Sequence, residues 1–88
     1  MNEKPSDKVK TGDKLIVLLH GAGVVSATEE EVVRTEAGEF WFEFSDYPFR
    51  MRDWVYTGDT MFGFRYEVLS SDDKRGRKIL ASQEEQSE

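Results

Sequence analysis

Residues 32 to 44, VVRTEAGEFWFEF, restrict the possible folds more than any other stretch, because two strand-like runs are joined by Ala37-Gly38. Glycine reaches positive φ without steric cost, which a two-residue hairpin turn requires. With Glu36 and Glu39 flanking the loop, Thr35 faces Phe40, Arg34 faces Trp41 and Val33 faces Phe42. Side chains alternate across a strand, so Phe40, Phe42 and Phe44 share one face with Val33. Glu39, Trp41 and Glu43 share the other with Arg34. The first face is the expected core, and the second is polar except for Trp41.

Other stretches repeat the strand signal. Lys14 to Leu19 is nearly all apolar and lacks helix caps, as suits a strand covered on both sides. HGAG breaks the chain, and VVSAT (residues 24–28) reads as a short second strand ended by Glu29-Glu30-Glu31. VVRTE (32–36) then alternates as a further strand. MFGFRYEVL sets Phe62, Phe64, Tyr66 and Val68 against Gly63, Arg65 and Glu67, with Gly63 marking a bulge or a close approach. Pro48 makes SDYPF a turn, while RMRDWVY fits either an irregular strand or one helical turn. Residues 1–10 are expected to be a flexible arm, 11–69 an SH3-like barrel, and 70–88 a polar tail with at most a helical turn around Ile79 and Leu80. The expected fold is therefore all-β: a small antiparallel SH3-like (Tudor-like) barrel of five to six strands with flexible termini. A three- or four-stranded open sheet that dimerises is the alternative.

Composition narrows the function. Eighty-eight residues make one domain with a thin core, and the six Phe, three Tyr and two Trp must supply much of its burial. The absence of cysteine removes disulfides, thiolate metal sites and thiol nucleophiles, and fits a reducing cytoplasm. MNEKPSDKVK has no apolar stretch and reads as no signal peptide, and the Leu15–Leu19 run is too short to cross a bilayer. A soluble cytoplasmic protein without membrane contact is expected. The net charge of −6 disfavours nucleic acid, whose phosphates need a positive face. The charge is uneven, however: residues 1–48 hold ten acids and five bases, residues 49–88 eight acids and seven bases, including KRGRK.

KLIVLLHGAGVV resembles the oxyanion-loop strand of an α/β-hydrolase, but the chemistry does not follow. That reaction needs a serine on a G-x-S-x-G elbow and a histidine base, and the single histidine, His20, lies inside the loop itself. HGAG therefore reads as a hairpin loop, with Gly21 and Gly23 permitting a sharp reversal. One histidine without cysteine supplies too few ligands for zinc, and the glutamates show no calcium-loop spacing. No phosphate-binding loop is present. The expectation is a protein that is not an enzyme, with no catalytic residues, metal or cofactor.

At GDKLIVLLHGAGVVSAT the chain resembles Tudor-like, SH3-related modules of the CarD family, of transcription–repair coupling factor and of UvrD-type helicases. The matching positions are Gly12, Asp13, Leu15, Val17, His20, Gly21, Gly23 and Val25. The resemblance covers about seventeen residues and implies a barrel that docks by a strand edge or face onto RNA polymerase, without catalysis.

Three functional readings remain open. The first is a non-enzymatic protein-interaction module, docking on transcription or repair machinery, with Arg34, Trp41, Arg52, Trp54 and Tyr56 as contact residues; exposed Trp beside Arg is the usual make-up of a binding hot spot. The second is a nucleic-acid-binding barrel using Arg50, Arg52, Arg65, Lys74, Arg75, Arg77 and Lys78 with the aromatics. The third is an acidic mimic of nucleic acid built from the acids of residues 29–46.

Overall fold

The computed structural model describes residues 8–60 and 63–86. Among these residues, six antiparallel strands, β1 (Lys14–Gly21), β2 (Val24–Glu36), β3 (Glu39–Phe42), β4 (Phe49–Arg50), β5 (Val55–Tyr56) and β6 (Arg65–Ser70), are followed by one helix, α1 (Lys74–Gln86). The sheet order is β5-β4-β3-β2-β1-β6: β1 to β5 form a meander, and the last strand returns beside the first. The sheet curls into a nearly closed, SH3-like barrel, bringing Tyr56 of β5 and Tyr66 of β6 to 4.8 Å between ring centroids. No helix among the described residues is long and apolar enough to cross a membrane.

The Ala37-Gly38 hairpin forms as the sequence predicts, with φ of +53° and +82° at the two turn residues. Glu36 pairs Glu39, Thr35 pairs Phe40 and Arg34 pairs Trp41. One step further the register shifts, so Val32 rather than Val33 pairs Phe42. Val32 and Arg34 are two residues apart and would share a face in a regular strand, which would bury the guanidinium or expose the valine. A β-bulge resolves this by inserting one unpaired residue. Val32 is buried and Val33 is 45 % exposed, correcting the expected core position of Val33. Phe44, also expected in the core, lies beyond the end of β3 and is 43 % exposed, its ring stacked on Phe42.

The glutamate triplet does not end a strand. β2 runs continuously through it, with Glu29, Glu30 and Glu31 opposite Ile16, Leu15 and Lys14 of β1. RMRDWVY resolves into the end of β4, a turn and β5, with Arg50 paired to Val55. β6 begins at Arg65, so Gly63 (φ +75°) and Phe64 precede it; Phe62, expected in the same strand, lies outside the described residues.

β1 is covered on both faces. Leu15 and Val17 point into the barrel with Val9, Val32, Phe40, Phe42, Phe49 and Val68. Ile16 and Leu18 point outward into a second cluster with Ala27 and Leu69, closed by Ile79 and Leu80 of α1. The outer cover comes from the segment expected to be a polar tail with at most one helical turn, which forms the thirteen-residue α1 instead. Asp73 caps the helix: its Oδ1 accepts from the Arg75 and Gly76 amides at 2.9 and 3.1 Å, satisfying donors that a helix start leaves open. At the other terminus, Val9 is buried against the barrel, so the expected arm is already laid down at that residue.

Candidate functional site

The outward face of the β2–β3 hairpin carries the residues that the core leaves unused. Alternation turns Phe40 and Phe42 inward, so Trp41 must point away from the barrel. Across the pair, the Arg34 guanidinium carbon lies 3.8 Å from the Trp41 ring centroid, a cation–π contact worth about 0.5–1 kcal/mol at such a site. The bulge brings Val33 to the surface beside them. Together with Phe42, Glu43 and Asp46 these residues line a shallow depression of about 310 Å³. A second depression, about 460 Å³, opens at the tip of the same hairpin between Gly38, Glu39, Arg50 and Arg52.

The five expected contact residues do not form one group. Arg34 and Trp41 meet on the outer face. Arg52 stands at the hairpin tip with its side chain 80 % exposed and its Nε 3.7 Å from Asp53. Trp54 and Tyr56 turn toward the barrel instead. Trp54 sits in the turn after β4 at φ +60°, with its ring 5.3 Å from Phe40. Tyr56 packs 5.1 Å from Phe49 and shares a hydrogen bond of 2.7 Å with the Ser45 hydroxyl. A thin core recruits every aromatic ring within reach, which is why these two serve packing first.

The basic residues of the nucleic-acid reading are spread over β4, the following turn, β6 and α1. Arg50 donates from Nε and Nη2 to the two oxygens of Asp53 at 3.1 and 2.8 Å. Arg77 donates to Glu29 at 2.8 Å, and Arg75 donates to Glu67. Each of these three guanidiniums is thus matched by a carboxylate. Arg52, Arg65, Lys74 and Lys78 are exposed. The acids of residues 29–46 are divided too: Glu30 lines the barrel mouth, whereas Glu29 pairs with Arg77 on α1.

His20 belongs to a polar cluster, with its Nε2 3.0 Å from Glu67 Oε1. Burial acts to raise the Glu67 carboxyl, but hydrogen bonds from Arg75 and His20, and their charge, hold it below its ordinary value. The cluster ties β1, β6 and α1 together.

Sequence reasoning overlooked a further feature. β2 has thirteen residues and β3 only four, so the strand facing β2 on one side stops at Val32. Beyond that point, Gln83 of α1 reaches the edge of β2 and hydrogen-bonds both backbone groups of Ala27. Nothing local in the sequence announces this, because it depends on two strand lengths and on a contact across 56 residues. A scan against protein-family models and searches of curated proteins and of solved structures return no match to this chain.

Proposed function

We propose that the protein is a non-enzymatic β-barrel module that binds a protein partner through the outer face of the β2–β3 hairpin, with transcription or repair machinery as the first class of partner to try. Trp41 carries the reading. A large aromatic side chain stands on the solvent side of the sheet, held by Arg34 and flanked by a valine that the bulge exposes. Tryptophan and arginine at the centre of a patch are the residues that most often dominate binding energy. The partner reading is favoured over nucleic acid because Arg50, Arg75 and Arg77 already face carboxylates and the chain is acidic overall.

The test is Trp41→Ala. Trp41 is half-buried, so the change removes the cation–π contact and part of the ring's packing, about 1–2 kcal/mol in all, and the melting temperature falls by no more than about 16 °C in a domain this size. Affinity for the partner captured by the wild type drops by at least about tenfold, as expected of a hot spot. Full retention of partner binding, or collapse of the fold, rejects this face. Oligonucleotide binding at low salt that weakens as salt rises would favour the nucleic-acid alternative.

A further inference from the structure

We propose that the outer edge of β2, from Val24 to Glu31, accepts an extended basic segment of a partner protein as an added strand, and that Gln83 occupies that edge until the partner displaces it. The proposal rests on the reading of the barrel as an interaction module and adds the edge of β2 to the hairpin face as a second contact.

β1 pairs with β2 along its whole length from Lys14 to Gly21, whereas β3 pairs with β2 only from Val32 onward. Among the described residues, 24–31 therefore have a strand on one side only. The amide of Ala27 donates to Gln83 Oε1 at 2.6 Å, and Gln83 Nε2 donates to the Ala27 carbonyl at 2.8 Å. One planar carboxamide thus supplies the acceptor and the donor that a residue of a neighbouring strand would supply. Because Ala27 directs its backbone groups away from β1, the two-residue period directs those of Val25 and Glu29 the same way.

The surroundings of this edge define the occupant. On the inner side, an apolar groove of about 250 Å³ runs from Leu19, Ser26 and Thr28 to Phe44 and Tyr66. It receives alternate apolar side chains of an added strand, as in other strand-addition complexes. On the outer side, Glu29 already holds the guanidinium of Arg77 at 2.8 Å. The helix therefore presents a miniature of the ligand, an amide at Ala27 and a cation at Glu29. Glu31 adds charge on the same outer side while Glu30 lines the inner groove, and the net charge of −6 opposes pairing with a second copy of the chain. A segment alternating apolar and basic residues is the complementary partner.

The probe is a labelled eight-residue peptide alternating valine and lysine, titrated by fluorescence anisotropy at low ionic strength, together with an analogue N-methylated at alternate residues. Gln83→Ala should bind the parent peptide about tenfold more tightly than the wild type, since two hydrogen bonds no longer compete. Val25→Pro should abolish binding: Val25 directs its N–H away from β1, so proline removes an edge donor without breaking the β1 ladder. The N-methylated analogue should not bind. Equal binding of the analogue, or by Val25→Pro, shows attraction by charge alone and overturns the proposal, as does absence of binding to both wild type and Gln83→Ala. Sedimentation of Gln83→Ala as a peptide-excluding dimer also overturns it, in favour of a second copy. If Gln83→Ala fails to fold, wild type against Val25→Pro and against the analogue decides the matter. The broader reading fails separately: loss of partner capture by Trp41→Ala but not by Val25→Pro rejects the edge and keeps the module, whereas retention by both rejects the module.

Discussion

Gly21 has ordinary backbone angles, and the reason for glycine there is Phe64. A Cβ at this position would stand 2.1 Å from Cδ1 and 2.9 Å from Cγ of the Phe64 ring. The body of the ring, rather than a flexible tip, would have to move. Gly21→Ala should therefore cost about 1–3 kcal/mol, read as a lower urea midpoint at unchanged slope. The HGAG loop was expected to need both glycines for its reversal. Gly23 (+75°) meets that need together with Ala22 (+54°), whereas Gly21 is needed for space. Phe40 gives the opposite contrast to its neighbour Trp41. It is fully buried, with rings of Phe42, Phe49 and Trp54 at 5.3 to 5.6 Å. Phe40→Ala should cost about 3–5 kcal/mol in the same measurement. A loss below about 1 kcal/mol would place the centre of the core elsewhere. The alternation of EFWF shows this division in the sequence alone, because adjacent strand residues cannot share a face.

The helix α1 is the part of the chain that local patterning hides most. Its first residues, KRGRK, look like a solvated charge run, and only Ile79 and Leu80 offer an apolar stripe. Gly76 looks like a helix breaker but marks a close approach to the barrel: a Cβ there would lie 2.8 Å from Cδ1 of Ile16. The start signal was present in Asp73, whose carboxylate receives the Arg75 and Gly76 amides while itself being buried. Asp73→Ala should cost about 0.5–2 kcal/mol, with faster amide hydrogen exchange concentrated in the first turn of α1. Unchanged exchange there would show that packing of Ile79 and Leu80 alone holds the helix start. The hairpin β2–β3 is the converse case. Its turn and first three pairs follow from Ala37-Gly38. Its bulge follows from the demand that Val32 be buried and Arg34 wet, a conflict visible in the letters but resolved only by the fold.

The molecule as assembled has two apolar layers sharing β1, and a polar cluster at Glu67 helps fasten them together. Glu67 on β6 receives Arg75 from α1 and meets His20 from β1. Its folded-state carboxyl titrates below the value of 4.5 expected for a free side chain. Ionised Glu67 therefore contributes stability that is fully present above the unfolded value and vanishes as pH falls through the folded one. Thermal melts should show the wild type losing stability below about pH 4.5 and the Glu67→Gln variant losing less over the same interval. Parallel acid profiles for the two proteins would remove Glu67 from the joint between barrel and helix. The arrangement also explains why a chain this short can build a core. The barrel interior is filled by three phenylalanines together with valines and Leu15, and the outer face of β1, which an isolated small barrel would leave wet, is closed by α1.

Features set within a few neighbouring residues could be read directly: the strand identity of Lys14–Leu19, the Ala37-Gly38 turn, the outward Trp41 over Arg34, and the need of β1 for cover on both faces. Each follows from an unbroken apolar run, from alternation or from a backbone angle, and all three act locally. The identity of that cover, the burial of Val32 in place of Val33, the exposure of Phe44 and the placement of Gln83 on Ala27 came from the assembled fold. They depend on strand lengths and on contacts between segments as much as 56 residues apart, and no local pattern carries that information.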